Sequence, residues 1–213
     1  MITDESGARR WLEKLPQFDK LAGERLETLA ALLREENERQ NLVSRGTLAE
    51  VWRRHIVDSA QLLLHVPRGT VGPWLDLGTG AGFPGLVIAI LLPEHAVWLV
   101  ESRARRIEWL DRARATLGLG ECEVIGKRLE MTPERKAAVI SARAFAPLDK
   151  LLDLSARFST IGTTWLLPKG MSAKHELDRL SGWKHMFHVE QSLTDPNAGI
   201  IVGTLTSRKA RKS

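Results

Sequence analysis

The stretch WLDLGTGAGFPG, residues 74–85, combines one carboxylate with a run of glycines. Asp76 ends a short apolar run, and Gly78, Gly80 and Gly82 follow it at every second position. Glycine permits positive φ and lets a ligand come into contact with the backbone. A glycine-rich turn between a strand and a helix therefore predicts a nucleotide-like ligand, although such a turn could also serve only to pack the helix on the strand.

The spacing of the glycines separates three kinds of nucleotide site. A dinucleotide site has the pattern G-x-G-x-x-G, but Phe83 stands where its third glycine would be. A Walker loop requires a lysine directly after its glycines, and none follows here. The remaining pattern, D-x-G-x-G-x-G, resembles the first motif of methyltransferases that use S-adenosylmethionine (SAM) and have a doubly wound sheet.

An acidic residue at the end of the next apolar run supports a nucleoside ligand. The run VWLVE ends in Glu101, whose carboxylate is placed to accept hydrogen bonds from a ribose. The same carboxylate could instead cap the helix that follows. The sequence leaves both roles open.

Short apolar runs alternate with amphipathic segments from residue 74 onward. The predicted strands are WLDLG, VWLVE, CEVIG, AVISA and TWLLP, and helices are predicted over 84–92, 103–117 and 148–158. Strands that alternate with helices favour a parallel sheet covered on both faces. KHMFHVEQSL and GIIVGTLTS, which have no helix between them, predict an antiparallel pair at the sheet edge. We therefore expect a doubly wound, mostly parallel, Rossmann-like α/β sheet of seven strands.

A helical region precedes this sheet. Apolar residues recur at helical spacing between Ala22 and Leu33, and a second helix is predicted over about 48–64. The sequence VPRGTVGP then breaks the chain. We divide the chain into a helical part packed on the core, a methyltransferase domain and a basic disordered tail, with the bounds 1–70, 71–207 and 208–213.

Composition limits the classes of protein. The 213 residues, 43% of them hydrophobic, are enough to bury one α/β core. The single cysteine, Cys122, excludes an internal disulfide and fits a reducing cytosol, so we expect a cytoplasmic protein without a bound metal. No apolar run reaches the length of a membrane span, and nothing indicates an obligate oligomer, so we expect a monomer that binds no membrane. The RKARK segment at 208–212 is either a solvated end or an attraction for phosphate.

Five motifs in a fixed order narrow the family. They are NLVS at 41–44, RHIVDS at 54–59, DLGTGAGFPG at 76–85, SARAFAP at 141–147 and PKG at 168–170. Together they closely resemble the ribosomal RNA small-subunit methyltransferase G family, also called GidB. The resemblance implies SAM-dependent methylation of N7 of a guanine, position 527, in the 530 loop of 16S rRNA, with naked RNA and the 30S subunit both open as substrates.

The same resemblance implies the site residues. Gly78 and Phe83 match positions that contact SAM, Leu129 and Glu130 match the pair at its adenine end, and Arg143 matches an arginine between SAM and the target base. With the glycine loop and the ribose carboxylate, the expected cofactor contacts are Gly78, Phe83, Leu129, Glu130, Arg143, Asp76, Gly80, Gly82 and Glu101. The RHIVDS and PKG motifs add candidate RNA contacts at Arg54, His55 and Lys169.

Residue types alone leave other roles open for several of these side chains. Phe83 could be an ordinary core residue, and Arg143 a salt-bridging one. His55 could pack beside Asp58, its neighbour three positions along the helix. Lys169 could be solvated.

The residues that the chain lacks fit methylation at N7. A [DN]-P-P-[FYW] loop, common in enzymes that methylate exocyclic amines, does not occur. Methylation of a pyrimidine carbon needs a cysteine nucleophile, but Cys122 lies inside a predicted strand. Guanine N7 already offers a lone pair and carries no proton, so we expect positioning residues such as Arg143 and no acid or base catalyst. The alternatives are a SAM-dependent enzyme for a small molecule and a non-catalytic module that binds SAM or RNA.

Overall fold

A mixed β-sheet forms the centre of the molecule. The computed structural model describes residues 1–209. In that range the strands are β1 (Trp74–Leu77), β2 (Val97–Glu101), β3 (Cys122–Gly126), β4 (Val139–Ser141), β5 (Thr164–Gly170), β6 (Trp183–His185), β7 (His188–Gln191) and β8 (Gly199–Arg208). Their order across the sheet is β3-β2-β1-β4-β5-β8-β6, with β7 also paired to β8.

The sheet is doubly wound and mostly parallel, as the sequence predicts. Strands β1 to β5 pair in parallel, and β8 is antiparallel to β5. From β1 the chain builds the sheet in one direction through β2 and β3, and then returns to place β4 on the other side of β1. The carboxyl ends of β1 and β4 therefore flank the point where the strand order reverses, which is where open α/β sheets bind ligands.

The edge of the sheet departs from the prediction. KHMFHVEQSL is not one strand, because it is interrupted between β6 and β7, and both pieces pair with β8. The interruption lies opposite Gly203, which has φ +146° and whose missing Cβ leaves room for the carbonyl oxygen of Met186. The sheet consequently has eight strands instead of the expected seven, because the segment expected to form the sixth strand forms both β6 and β7.

Helices cover both faces. They are α1 (Glu5–Leu12), α2 (Lys20–Asn37), α3 (Arg45–Leu48), α4 (Asp58–Ala60), α5 (Gly85–Leu91), α6 (Ala104–Thr116), α7 (Leu148–Ser155) and α8 (Ala173–Asp178). The helix predicted over about 48–64 is irregular: a π-helical turn over Trp52–Val57 leads into α4 and then a 3₁₀ turn over Gln61–His65. Such π turns are frequent at functional sites.

Alternation along β1 divides the core into two layers. Trp74 faces the layer that contains α2, α5 and α6, whereas Leu75 and Leu77 face the layer beneath α7. The first layer runs without a break from Leu12 and Leu26 to the sheet. The helical part over residues 1–70 is therefore packed on the same core as the sheet.

The first two residues of the expected disordered tail, Arg208 and Lys209, belong to the folded structure. Strand β8 continues to Arg208, whose guanidinium pairs with Asp153 at 3.0 Å, and the amide of Lys209 donates to the carbonyl of Gly182. The rest of the expected tail, residues 210–213, lies outside the described residues. No helix within the described chain is long and apolar enough to cross a membrane.

Candidate functional site

Two cavities open where β1, β2, β3 and β4 end. A smaller cavity of about 240 Å³ lies over the ends of β1, β2 and β3, and Gly78, Glu101 and Leu129 belong to its wall. A larger cavity of about 540 Å³ lies over the ends of β4 and β5, and Arg143 and Lys169 belong to its wall. The topology therefore brings several of the predicted site residues to one edge of the sheet, but distributes them between two spaces.

The carboxylate of Glu101 organises the smaller cavity. Its Oε1 accepts from the amides of Ser102 and Arg103 at 2.7 and 2.9 Å, and its Oε2 accepts from the amide of Gly80 at 3.1 Å. Glu101 thus anchors the glycine loop and the start of α6 while it forms part of the cavity wall. The capping role and the ligand-facing position, which the sequence left as alternatives, are compatible.

The glycines of the loop differ in which group packs against them. Gly78 and Gly80 have φ near +60°, which favours glycine. A Cβ on Gly78 would collide with the ring of Phe145, and one on Gly82 would collide with the side chain of Leu86. Gly82 is therefore bare because α5 packs against it, and the structure does not place it at the cavity wall. Gly80 contributes its amide to Glu101 but also lies outside the wall.

Asp76 holds the loop from behind. Its side chain is fully buried, and it accepts hydrogen bonds from Ser141 Oγ at 2.7 Å and from the amide of Gly85 at 3.0 Å. Burial raises the pKa of this carboxyl to about 6, although these hydrogen bonds oppose the shift. The structure thus places Asp76 under the loop and outside both cavity walls, and its contact with the cofactor stays a prediction.

Two other predicted contacts also lie away from the cavity walls. Phe83 is 2% exposed and its ring stacks on His55, with 5.1 Å between the ring centroids, so it has the core position that its residue type left open. Glu130 is exposed and does not belong to either wall, whereas its neighbour Leu129 is buried at the wall of the smaller cavity. The adenine-end pair is therefore split between the two sides of a 3₁₀ turn over Leu129–Met131.

Three ion pairs contribute to the wall of the larger cavity. They are Arg143 with Asp58 at 3.3 Å, Arg54 with Asp195 at 2.9 Å and Lys169 with Glu176 at 2.9 Å. Every carboxylate in this wall is thus neutralised by a cation. Within residues 1–209, no group of three or more His, Cys, Asp and Glu side chains is placed to hold a metal ion.

Arg143 joins the sheet to the irregular helix. Its guanidinium bonds to Asp58 Oδ2, to His55 Nδ1 and to the carbonyl of Arg54, each at 3.3 Å, and lies over the ring of Phe83. Asp58 in turn accepts from Thr194 Oγ1 at 2.8 Å, in the loop before β8. The RHIVDS motif therefore positions Arg143 through three separate acceptors.

His55 is buried beside Arg143 in the wall of the larger cavity, and its contact with RNA stays a prediction. Burial lowers the pKa of the imidazole to about 3, and the charges of Arg143 and Arg54 add to the shift. The folded protein therefore keeps His55 neutral at pH values where an unfolded chain protonates it. Since the unfolded chain then binds the extra proton, stability falls as the pH drops below about 6.5.

A His55→Asn variant tests this placement. We expect wild type to lose about 1.4 kcal/mol more free energy of unfolding than the variant between pH 7.5 and 5.5, because only wild type carries the buried neutral imidazole. Denaturant unfolding at the two pH values measures the difference. Groups that titrate in both proteins cancel. An identical pH dependence of the two proteins would show that His55 is not held neutral.

Lys169 is engaged within the protein. Its ammonium contacts Glu176 and donates to the carbonyl of Ala146 at 2.5 Å, and its side chain is 7% exposed. Glu176 also accepts from the amide of Leu148 at 2.8 Å. The lysine thus ties β5 to the loop after β4 and is not solvated, while its contact with RNA phosphate stays a prediction.

Sequence reasoning missed several residues of the two walls. Ser102, Arg103 and Lys127 belong to the wall of the smaller cavity, Asp195 to that of the larger one, and Phe145 to both. Phe145 was within reach of prediction, because the SARAFAP motif contains it. Asp195 offered no local signal, since only the fold of the β7–β8 loop brings it to Arg54.

The comparisons with known proteins agree on one family. The family model of rRNA small subunit methyltransferase G matches residues 22–194. The ribosomal RNA small subunit methyltransferase G of Erythrobacter litoralis is 59% identical over 204 residues, covering 95% of this chain and 97% of the relative. The protein of the same name from Novosphingobium aromaticivorans is 59% identical over 211 residues, covering 98% and 91%.

A solved structure supports the fold. A SAM-dependent methyltransferase from Aquifex aeolicus superimposes with a TM-score of 0.54 at 15% identity, covering 70% of this chain and 90% of that one. The sequence matches confirm the predicted family, and with it the prediction of a SAM-dependent rRNA methyltransferase. The chain belongs to the rRNA small subunit methyltransferase G family.

Proposed function

We propose that this chain transfers a methyl group from SAM to N7 of a guanine in the 530 loop of 16S rRNA. The observation that carries the proposal is the pairing of two adjoining cavities at the switch point of the sheet, one beside Glu101 and one beside Arg143. The family supplies the class of substrate. A monomer acting in the cytoplasm is part of the proposal.

The smaller cavity has the chemistry to hold SAM. Glu101 offers carboxylate oxygens for the ribose hydroxyls, and Leu129 and Val100 offer apolar surface for the adenine. The bare backbone of Gly78 forms the floor between them and the loop after β4. When bound, SAM supplies an electrophilic methyl group on a sulfonium.

The larger cavity is suited to position a base that needs no deprotonation. Its carboxylates are paired with cations, and its histidine is buried and neutral, so a free general base is not among the described side chains of the wall. N7 and O6 of guanine both accept hydrogen bonds, and the guanidinium of Arg143 is a fixed donor in this cavity. Orientation and fixed charge can then provide the rate enhancement.

Both parts of the chain contribute to this arrangement. We propose that residues 1–70 and 71–207 are the two functional parts, because Arg54, His55 and Asp58 of the first part contact Arg143 of the second in one cavity wall. Exposed Arg103 and Lys127 beside the smaller cavity add positive charge for phosphate.

Transfer of tritiated SAM tests the proposed function. The purified chain is incubated separately with naked 16S rRNA, with 30S subunits that lack the modification, and with a metabolite pool. We expect label in RNA in at least one of the first two samples, and the ratio between them identifies the preferred substrate. Label only in small molecules, or SAM binding without transfer to any acceptor, would refute the proposal in favour of one of the two alternatives.

A further inference from the structure

The two cavities meet at a shared wall. Of the residues described in the two walls, Ala144 and Phe145 alone belong to both. Methyl transfer requires donor and acceptor atoms in contact and in line. Under the proposed function, on which this inference rests, the sulfonium methyl and guanine N7 must therefore meet beside these two residues.

The backbone fixes the ring of Phe145 at this junction. Ala144 has φ +51°, a left-handed conformation that is uncommon for a residue with a side chain and that persists where the surroundings impose it. The ring of Phe145 lies directly on the backbone of Gly78, and Cε2 would be 3.0 Å from a Cβ added there. The loop after β1 therefore supports one side of the ring.

Phe145 packs against the core layer beneath α7, but core packing accounts for only part of its side chain. Phe83 and Phe158 are 2% and 1% exposed, as expected for phenylalanines that stabilise the fold. Phe145 is only partly buried, and its ring faces the two cavities. A partly exposed ring in a cavity for a nucleobase is suited to stacking, since every base has a flat π face.

We infer that Phe145 is a positioning residue for the acceptor, the surface on which the target purine stacks. The volume of the smaller cavity is about 240 Å³, below the roughly 300–1,000 Å³ typical of small-molecule sites. A cofactor of the size of SAM therefore fills this cavity and extends to the wall that Phe145 forms. A base stacked on this ring in the larger cavity is held next to the cofactor. Arg143, in the same wall, fixes the orientation of its edge.

Three substitutions separate stacking from simple space filling. Phe145→Ala removes the side chain, Phe145→Leu keeps apolar volume without the flat ring, and Phe145→Tyr keeps the ring. We expect the first two to lower kcat/KM for RNA by roughly 10- to 100-fold, and the third to stay within about 3-fold of wild type, because stacking depends on the aromatic face. The Kd for SAM, measured by calorimetry, should change by less than about 3-fold in all three.

Phe18 provides the matched control. It too is a partly buried phenylalanine packed on a glycine, Gly23, but it belongs to neither cavity wall. Phe18→Ala should leave kcat/KM for RNA unchanged. Thermal unfolding and the Kd for SAM show whether each variant is folded, and the comparison of Phe145→Leu with Phe145→Tyr decides the question even if Phe145→Ala does not fold.

Two results would overturn the inference while the proposed function stands. One is full activity of Phe145→Leu, which would make the ring a spacer only. The other is a loss of SAM affinity as large as the loss of kcat/KM, which would make Phe145 a wall of the cofactor site alone. Absence of methyl transfer to rRNA by the wild-type protein would instead refute the proposed function, and this inference with it.

Discussion

Gly78→Val is expected to weaken SAM binding by at least about 100-fold, because the new side chain would occupy the junction of the two cavities. In the structure, a Cβ at Gly78 would collide with the ring of Phe145, so the ring or the loop must shift. The φ of +61° adds strain for a β-branched residue. Calorimetric titration with SAM measures the effect, and unchanged affinity would show that the cofactor does not lie at Gly78.

Gly80 supplies the matched control for this prediction. Gly80 has φ +60°, but a Cβ there would have Arg106 Nη1 at 3.6 Å as its nearest neighbour, an ordinary contact. Gly78→Ala and Gly80→Ala thus introduce the same methyl group at the same backbone conformation. We expect a much larger loss of SAM affinity from Gly78→Ala. Equal losses would mean that backbone strain, and not the lack of space for a side chain at Gly78, controls binding.

Arg143→Ala is expected to reduce the rate of methyl transfer by roughly 100- to 1,000-fold, the effect of removing one preorganised donor from an active site. The variant loses the guanidinium that connects Asp58, His55 and the carbonyl of Arg54. Because Arg143 belongs to the wall of the larger cavity, we expect the rate to change far more than the Kd for SAM. Normal turnover of the variant would exclude Arg143 from the site.

Two further variants show whether the loss at Arg143 is specific. Arg143→Lys keeps the charge but not the planar fork, so a lysine cannot reach all three acceptors and the rate should stay low. Arg112→Ala removes an arginine that pairs with the buried carboxylate of Glu36 at 2.6 Å, away from both cavities. It should transfer methyl groups at the wild-type rate. A similar loss in Arg112→Ala would indicate a general effect of lost stability.

Local pattern was sufficient to predict the parallel part of the sheet. The buried runs WLDLG and VWLVE and the glycine-rich turn between β1 and α5 follow from hydrophobic periodicity and from the backbone freedom of glycine. The position of the helix over 48–64 was predicted, but its irregular form was not, because its π turn depends on contacts with other parts of the chain. One is the carboxylate of Glu5, which accepts from the amides of Trp52 and Arg53.

The positions of individual side chains at the site could be predicted less completely than the strands. Sequence places a residue on a loop, but only tertiary packing decides whether it faces the ligand or supports the loop. Asp76 and Phe83 belong to the motif, yet both are buried beneath it. Phe145 and Gly78 are distant in sequence and come into contact because β4 lies beside β1. The assignment of individual cofactor contacts therefore remains a set of predictions that the variants above address.

The most direct test is the position of the methyl group in the product. After incubation of 16S rRNA or 30S subunits with SAM and the wild-type protein, nuclease fragments are analysed by mass spectrometry. The proposed function predicts one new methyl group, on N7 of a guanine in the 530 loop, and its absence when Arg143→Ala replaces wild type. A methyl group on another atom or outside that loop, or none at all, would contradict it.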